Sequence, residues 1–445
     1  MPKVSLVSTE FIDALPEEYQ GSHASEEPLD LLYVAGALCD AVESRIIDLT
    51  QDDDLAFLAQ SDVIVYSTTN SYLQWNNHPL GLSLFKKVWD RSGRYVRPDV
   101  PRFVFGPHAP MHYTEILAMG ATAVFVGEAE LDIANAVNTA IGFAGSISSS
   151  PLNTPSVVSN LDTLPTPAYF QALRREYAAH NSPDGTFKLG HLYEASRGCP
   201  YQCSFCNTIT HRREYRTKSP AIIQRDLGRL ASTSGRRDYV YFIDESFAYR
   251  NEWFDSIIPI LEELPFSYGA QGNLAFMNPK KLDSLQRAGF VSIEFGLESA
   301  DREILKKVGK NNRLSQATDL INSAAALDLN PLLFINVGLP GETIETLKST
   351  ADFLATLSPK VRISVAMPTP YKGTALDAMG RRSGVIPADA PPEEGYLYTG
   401  RIGHDLPFSE TRKNNFLAKY GPNNFLESRV VDSFGRDVLE LFGAK

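Results

Sequence analysis

Three of the four cysteines of this 445-residue chain fall within one short segment, SRGCPYQCSFC, at Cys199, Cys203 and Cys206. Thiolates are the soft ligands that iron–sulfur clusters prefer. Three of them on one loop can ligate three irons of a 4Fe-4S cluster and leave the fourth iron open to an exchangeable ligand. The alternative is structural zinc, which normally takes four closed ligands and for which His211 could be the fourth. The remaining cysteine, Cys39, lies in the helical pattern VAGALCDA and is expected to be a small buried hydrophobe.

The overall composition restricts the class of protein. Hydrophobic residues make up 43% of the chain and charged residues 21%, which is typical of a globular protein, and 445 residues predict about two or three domains. The net charge of −11 argues against a general nucleic-acid binder, which needs a basic surface. No apolar run approaches the ~20 residues that cross a bilayer, and the N-terminal MPKVSLVSTEF is too polar for a signal peptide. We therefore expect a cytoplasmic protein with no membrane partner.

Two alternating series of strand-like and helix-like segments predict an α/β fold. Residues 1–145 hold five short β-rich runs, which predict a Rossmann-like parallel sheet with its ligand at the carboxyl ends of the strands. A linker rich in Ser and Pro is expected over 146–187. Residues 188–375 hold six strand–helix units and predict a partial (β/α)6 barrel, because a complete barrel has about eight. Residues 376–445 are expected to form a short C-terminal region.

The cysteine segment resembles the signature of the radical S-adenosylmethionine (SAM) family. Ser196-Arg197-Gly198 at its start and Phe205 before its last cysteine resemble the subgroup that carries an N-terminal cobalamin-binding domain, and the resemblance extends over most of residues 1–375. The resemblance implies that the open iron binds the amino and carboxylate groups of SAM. Reductive cleavage of SAM then gives a 5′-deoxyadenosyl radical that abstracts hydrogen from a substrate. A one-electron donor such as flavodoxin or ferredoxin is implied as well.

Two later motifs imply contacts to the amino group and ribose of SAM. Asp244 and Glu245 in the motif YFIDESF match acidic positions that the family has near the amino group, where an ammonium needs carboxylate or carbonyl acceptors; either residue could instead cap the next helix. The motif EFGLESAD resembles the family's GIES and implies ribose or carboxylate contacts from Glu298 and Ser299. Ser299 could alternatively be the N-cap of the helix that opens at Asp301.

Two further motifs, NVGLPGET and PTPYKGTAL, resemble the family's GLPGET and PyPGT, which line the adenosine of SAM. The implied adenosine contacts are Gly338, Pro340, Gly341 and Pro368. Glycines there let the backbone approach the ligand, and Glu342 is expected to open a helix. Phe205 would pack on the adenine, or would simply be part of the core.

Residues that could move protons are identified only because they are ionisable and near strand ends. The candidate catalytic residues are Glu245, His211, Tyr371 and Tyr396. The subgroup often has an arginine where this chain has Asn273, so we expect Gln271 or Asn273 to face the barrel interior.

The first domain also resembles the cobalamin-binding domain of the subgroup, through LDLLYVAGALCDA and FGPHAPMHYTEILAMGATAVFVGEAE. Two departures argue against bound cobalamin: Phe105 and Ala129 stand where the subgroup's GGPHA and GEGE have glycines that permit close ligand approach. Phe105 would block nothing if its ring points into the sheet. The chain has no Asp-x-His-x-x-Gly motif, and TTNSYLQWNNHP (68–79) could contact cobalamin, fill its place or contact substrate.

These patterns predict a radical SAM enzyme. Its expected substrate is a small molecule such as a sugar-like compound, because the C-terminal region is too short for a large substrate domain. The main expectation is dehydration, redox change or rearrangement without methylation, as in the radical diol dehydratases of aminoglycoside biosynthesis. The alternative is a cobalamin-dependent C-methyltransferase, in which case cobalamin joins the 4Fe-4S cluster and SAM as a cofactor. A non-catalytic iron–sulfur or zinc binding protein is the rival from another class.

Overall fold

The structure is a computed structural model of the chain. It describes residues 1–9, 27–38, 40–68, 82–142, 155–172, 186–206, 214–234, 239–310, 312–366 and 370–382, with single residues at 177, 179, 182, 368, 384 and 386. The chain divides into two compact units. The first comprises Met1–His180, Leu189–Tyr193 and Arg216–Arg237, and the second comprises Asn181–Lys188, Glu194–Tyr215 and Asp238–Lys445.

The first unit is built around a parallel sheet. Its strands are β1 Lys3–Val7, β2 Glu43–Ile47, β3 Val63–Ser67, β4 Arg102–Phe105 and β5 Ala123–Val124. Its helices are α1 Leu29–Ala37, α2 Asp52–Ala59, α3 Ser83–Gly93, α4 Tyr113–Ala118, α5 Glu130–Ala140, α6 Tyr169–Ala172 and α7 Pro220–Ser234, with a 3-10 turn at Leu161–Thr163. The five strands lie in the order β2-β1-β3-β4-β5, and every pairing is parallel.

Residues along these strands alternate between two buried faces, as the pleat of a strand requires. One face carries Val7, Tyr66 and Val104, which share an apolar core with residues of α2, α3 and α4. The intervening residues Phe103 and Phe105 point to the opposite face. Helices α1 and α5 pack on each other and contribute no residue to the apolar core that contains Val7, Tyr66 and Val104. Burial on both faces explains why these strands read as continuous apolar runs.

A second sheet follows. Its strands are β6 His191–Tyr193, β9 Tyr239–Phe247, β10 Ser267–Gly272, β11 Phe290–Glu298, β12 Leu332–Asn336 and β13 Arg362–Ala366; the short strands β7 Ser196–Arg197 and β8 Arg216–Thr217 lie between β6 and β9 in the chain. The helices are α8 Asn251–Glu263, α9 Pro279–Arg287, α10 Arg302–Lys307, α11 Leu314–Ala326, α12 Ile344–Ala355 and α13 Ala375–Arg382. The strand order is β13-β12-β11-β10-β9-β6, and the pairings from β13 to β9 are parallel.

The predicted α/β class, with five strands in the first sheet and six in the second, is confirmed. Helix starts follow local chemistry: the side chain of Asn278 accepts the N–H of Lys281, and Pro279 occupies the first turn, where its missing N–H costs nothing. The predicted C-terminal region lies outside the described residues from 387 onward. No helix in the described part of the chain is long and apolar enough to cross a membrane.

Candidate active site

The cysteine segment begins at a turn that requires glycine. Gly198 has a φ of +87°, and a Cβ at this position would lie 2.2 Å from the carbonyl oxygen of Glu214. The Gly198 N–H donates to Oε2 of Glu245 at 2.9 Å. The next residue, Cys199, accepts a hydrogen bond on Sγ from the hydroxyl of Ser246 at 3.1 Å. Glu245 and Ser246 both lie on β9, so this strand fixes the position of the first cysteine.

The rest of the segment is tied to neighbouring backbone. The Ser204 N–H donates to the carbonyl of Val308, and the Ser204 carbonyl accepts the N–H of Leu376, both at 2.8 Å. The Cys206 N–H donates to the Cys203 carbonyl at 3.0 Å and closes a tight turn. Because Ser204 is bonded through both its amide and its carbonyl, the flanking thiols are presented by a fixed loop.

The thiols suit soft-metal ligation. Burial raises the pKa of the Cys203 thiol to about 12, and it also raises the pKa of Cys199, while the Lys310 ammonium opposes both shifts. A metal must therefore displace protons as it binds. Among the described residues, no three Cys, His, Asp or Glu side chains form a group that could hold one metal ion. The thiolates of a 4Fe-4S cluster ligate different irons and need no common point, so the loop fits such a cluster.

Asp244 and Glu245 are neighbours with different surroundings. Asp244 is fully buried; its Oδ2 accepts the N–H of Ala195 at 3.0 Å and its Oδ1 accepts the hydroxyl of Ser196 at 2.5 Å. Burial raises the pKa of the Asp244 carboxyl to about 8. The alternative that either residue caps the next helix is wrong, because α8 begins only at Asn251. Asp244 thus holds the backbone ahead of the cysteines, and Glu245 is the more exposed of the two.

Glu298 ends β11 with a φ of +66°, unusual for a residue other than glycine, and pairs with a lysine that the sequence did not single out. Its Oε1 lies 3.1 Å from Nζ of Lys310, and its Oε2 accepts a hydrogen bond from Nδ2 of Asn336. The Lys310 side chain is only 11% exposed, and its charge acts on Cys199 and Cys203. The basic run KKVGKNNR resembles a solvated surface, so only burial identifies Lys310 as a site residue.

Ser299 is fully buried just after Glu298. Its Oγ accepts the N–H of Asp301 at 3.1 Å and lies 3.4 Å from Oγ1 of Thr350. The alternative that Ser299 caps α10 is wrong, because the N-cap is Asp301, whose carboxylate accepts the N–H of Glu303 and of Ile304.

The GLPGE turn after β12 is organised by a buried carboxyl group. Gly338 and Gly341 have φ values of +101° and +84°. Glu342 is 2% exposed; its Oε2 accepts the N–H groups of Gly338 and Leu339, whereas its Oε1 has no hydrogen-bond partner among the described residues. Burial raises the pKa of the Glu342 carboxyl to about 8. The expectation that Glu342 opens a helix is wrong, since α12 begins at Ile344.

The remaining implied adenosine contacts are buried or partly buried. Pro340 and Pro368 are buried. Phe205 is partly buried and packs against Ile304, Val308 and Leu339. Phe205 therefore contributes to the core, and a role beside the adenine stays a prediction.

Comparison with known proteins matches part of this chain to one protein family. Residues 193–354, which include the three cysteines, match the family model described as the radical SAM superfamily. The chain carries a radical SAM domain. The family and the cysteine loop together require a 4Fe-4S cluster and SAM as cofactors.

Similar proteins extend over both parts of the chain. An uncharacterized methyltransferase of Pyrococcus horikoshii is 25% identical over 373 residues, which cover 78% of this chain and 77% of that protein. The hopanoid C-3 methylase of Methylococcus capsulatus is 26% identical over 369 residues, or 78% of this chain and 67% of that protein.

Solved structures share the fold. The radical SAM methyltransferase TsrM from Kitasatospora setae, with cobalamin and a 4Fe-4S cluster bound, has a TM-score of 0.61 at 17% identity, over 92% of this chain and 82% of TsrM. The cobalamin-dependent radical SAM enzyme OxsB, with aqua-cobalamin bound, has a TM-score of 0.60 at 15% identity, over 92% of this chain and 58% of OxsB. These likenesses confirm the α/β fold.

The candidate catalytic residues of the radical SAM domain are only partly described. His211 and Tyr396 lie outside the described residues, as does Cys39 in the first unit. Tyr371 is half-buried, and its carbonyl accepts the N–H and the hydroxyl of Thr374. The catalytic roles of these residues stay predictions.

Gln271 and Asn273 lie near the carboxyl end of β10. Gln271 is half-buried on the strand. The side-chain oxygen of Asn273 accepts the N–H of Ala275 at 2.9 Å, within a turn in which the Asn273 carbonyl also accepts the N–H groups of Phe276 and Met277. Asn273 therefore shapes the loop after β10.

In the first unit, the turns after β4 and β5 retain the glycines that their backbone needs. Gly106 has a φ of +112°, and Gly127 has a φ of +91° with a Cβ position 2.4 Å from the carbonyl oxygen of Ser156. Phe105 is the last residue of β4 and is 4% exposed, and Ala129 is the N-cap of α5 with a φ of −98°. Neither residue has a positive φ, so the backbone itself does not require glycine at either position, and the expectation that these side chains block a ligand stays a prediction.

Proposed function

We propose that this chain is a cobalamin-dependent radical SAM methyltransferase acting on a small molecule. The observation that carries the proposal is a radical SAM cysteine loop in the same chain as a five-stranded parallel sheet whose turns at Gly106 and Gly127 are intact. Two relatives whose alignments cover 78% of the chain are named methyltransferase or methylase. Both points favour methyl transfer over dehydration, redox change or rearrangement, the outcome expected from Phe105 and Ala129.

The chain's own residues would divide the work as follows. The three cysteines would hold the cluster, and Asp244 keeps the backbone before them in place through Ala195 and Ser196. Glu245 would accept hydrogen bonds from the SAM ammonium. In the ion pair of Glu298 and Lys310, the carboxylate would accept from the ribose hydroxyls and the ammonium would pair with the SAM carboxylate. When bound, the cluster supplies the electron that cleaves SAM, and cobalamin carries the methyl group.

The carboxyl edge of the first sheet is the proposed cobalamin site, because ligands of open parallel sheets bind there. Thr68 follows β3, and its N–H donates to the carbonyl of Phe105 at 2.8 Å. Thr68 also accepts the N–H of His108 on Oγ1 at 3.3 Å. These bonds hold the ends of β3 and β4 together around Gly106, where an additional ligand could approach the backbone. A one-electron donor such as flavodoxin or ferredoxin completes the proposal.

Anaerobic reconstitution with iron, sulfide and hydroxocobalamin, followed by desalting and an absorption spectrum, tests this function. We expect the wild-type protein to retain both a cluster band and a stoichiometric corrinoid band. Separate alanine substitutions of Cys199, Cys203 and Cys206 should abolish the cluster band and reductive SAM cleavage, whereas Cys39→Ala, the matched control, should keep both.

Two results would count against the proposal. A full cluster with no retained corrinoid would favour a reaction without methylation. Iron binding or SAM cleavage retained by all three loop variants would overturn the radical SAM assignment itself and return the protein to the non-catalytic class.

A further inference from the structure

Three aromatic side chains form a continuous surface beside the cysteine loop, here called the aromatic wall: Tyr201, Tyr249 and Phe276. The rings of Tyr201 and Phe276 are stacked, with centroids 5.1 Å apart and planes 4° from parallel. The rings of Tyr249 and Phe276 have centroids 4.6 Å apart at 56°. Tyr201 lies between Cys199 and Cys203, so the wall starts at the cluster-binding loop.

The aromatic wall lies where a substrate would approach. Tyr249 follows β9 and Phe276 follows β10, so both stand at the carboxyl ends of parallel strands, the edge at which barrels and open sheets bind their ligands. Each of the three side chains is only half-buried, whereas neighbouring aromatics such as Phe247 are fully buried. The wall therefore leaves apolar ring surface accessible beside the reactive centre.

A buried lysine holds the two loops that carry the wall. Nζ of Lys281 donates to the carbonyl of Ala248 at 2.6 Å and to the carbonyl of Phe276 at 2.9 Å. Lys281 is 5% exposed, and its ammonium lies 5.5 Å from the ring of Phe254. Burying an ammonium is costly unless it gains such bonds. The lysine thus joins the backbone next to Tyr249 to that of Phe276.

Ala248 adds strain at the same place. Its φ of +68° is unfavourable for any residue with a Cβ, and the Lys281 bond to its carbonyl holds it there. Only four non-glycine residues among those described have a positive φ, and two of them lie at this edge: Ala248 directly after β9 and Glu298 at the end of β11. Strained backbone of this kind is concentrated at functional sites.

We infer that the aromatic wall is a substrate-binding surface that takes a small molecule with a flat, unsaturated ring system. Ring faces recognise such a ligand by stacking, and a saturated ring of equal size gains less because it is puckered and lacks a π face. The inference rests on the proposed function in that the ligand is the substrate of the radical SAM site. Lys281 acts as a positioning residue, since it fixes the wall and touches no substrate.

Two probes of one skeleton test this inference: 2-naphthol, which is flat, and 2-decalol, its saturated counterpart. Their binding to the reconstituted protein with SAM is measured by equilibrium dialysis. We expect 2-naphthol to bind the wild-type protein more tightly than 2-decalol. Phe276→Leu, which removes the ring face and keeps apolar bulk, should weaken 2-naphthol binding about 2- to 10-fold and leave 2-decalol unchanged.

Matched variants separate the wall from general effects. Phe170→Leu makes the same change at a side chain that is 65% exposed in the first unit, and it should change neither affinity. Lys281→Met should weaken 2-naphthol binding while iron content stays at the wild-type level. Equal affinity of the wild type for the two probes, or equal 2-naphthol affinity of Phe276→Leu and Phe170→Leu, would overturn the inference.

The same samples report the proposed function independently. Iron content and 5′-deoxyadenosine release under dithionite are measured on each variant before dialysis. If the wild-type protein neither binds iron nor releases 5′-deoxyadenosine, the radical SAM assignment is refuted. If it does both but binds the two probes equally, only the aromatic wall is refuted as a substrate site.

Discussion

Replacing Glu342 with glutamine should stabilise the protein at high pH and leave it nearly unchanged at low pH. Burial raises the pKa of this carboxyl from 4.5 to about 8, and the charge of Asp301 acts in the same direction. The folded protein therefore binds the proton more tightly than the unfolded chain does. The sign follows: stability that is complete below about pH 4.5 is lost as the pH rises towards 8, because the carboxyl must ionise inside the fold.

The magnitude follows from the two pKa values. A change from 4.5 to about 8 corresponds to about 5 kcal/mol of unfolding free energy, of which about 3 kcal/mol is lost by pH 7. Glutamine cannot ionise, and its amide oxygen can accept the same N–H groups of Gly338 and Leu339. The variant should therefore match the wild type at pH 5 and exceed it by several kcal/mol at pH 9.

This difference is measured by urea unfolding of the reconstituted wild type and variant at pH 5, 7 and 9. Unfolding is monitored with a spectroscopic probe in the second unit. Asp244, whose pKa burial also raises to about 8, is present in both proteins and cancels in the comparison. A wild-type–variant difference that does not change with pH would refute the reasoning. A variant that is less stable than the wild type at pH 9 would show that the ionised carboxylate is stabilised by its two N–H donors.

Two further predictions concern the cysteine loop and its neighbours. Lys310→Met should keep the cluster band but reduce 5′-deoxyadenosine release about 10- to 100-fold, because it removes the cation beside the thiols and leaves Glu298 without its ionic partner. Lys310→Arg should restore most of the release. Full activity of the methionine variant would contradict the role assigned to Lys310. Gly198→Ala should abolish iron binding, because its Cβ would lie 2.2 Å from the Glu214 carbonyl oxygen. Gly228→Ala, inside α7 with nothing within 4 Å, should instead stabilise the protein by about 0.5–1 kcal/mol in urea unfolding; equal iron contents in these two alanine variants would show that the turn tolerates a side chain.

The fold could be predicted because its signals are local. Each strand buried on both faces reads as an apolar run, and each helix between two strands shows its own periodicity, so the order of elements follows from the sequence. The cysteine loop was equally clear, since three soft ligands stand within eight residues. Helix caps were harder, because Ser299 and Asp301 offer the same chemistry two positions apart and only the backbone decides between them.

Buried cations were not predictable from the sequence. Lys281 lies near the polar start of α9 and Lys310 lies in the polar loop between α10 and α11, where lysine is ordinarily solvated. Lys310 forms an ion pair with Glu298 at the end of β11, and Lys281 donates to two backbone carbonyls. Every residue has a backbone carbonyl, so the residue types in the sequence do not reveal the second kind of partner. Positions of this kind become visible only when the topology brings the carboxyl ends of neighbouring strands together.

The glycine substitutions in the first unit show why a family pattern alone does not decide ligand binding. A glycine in a family pattern can be needed for two reasons: a backbone conformation that a Cβ forbids, or a ligand that approaches the chain closely. The expectation drawn from Phe105 and Ala129 concerns the second reason, the space that a ligand needs. Gly106 and Gly127 carry the positive φ values, one after β4 and one after β5, so the backbone demand of both turns is met one or two residues away from the substitutions. Whether the side chain of Phe105 would obstruct a bound cobalamin depends on the direction of its ring. Alternation along β4 places that ring on the same buried face as Phe103, which packs edge-on against Phe125.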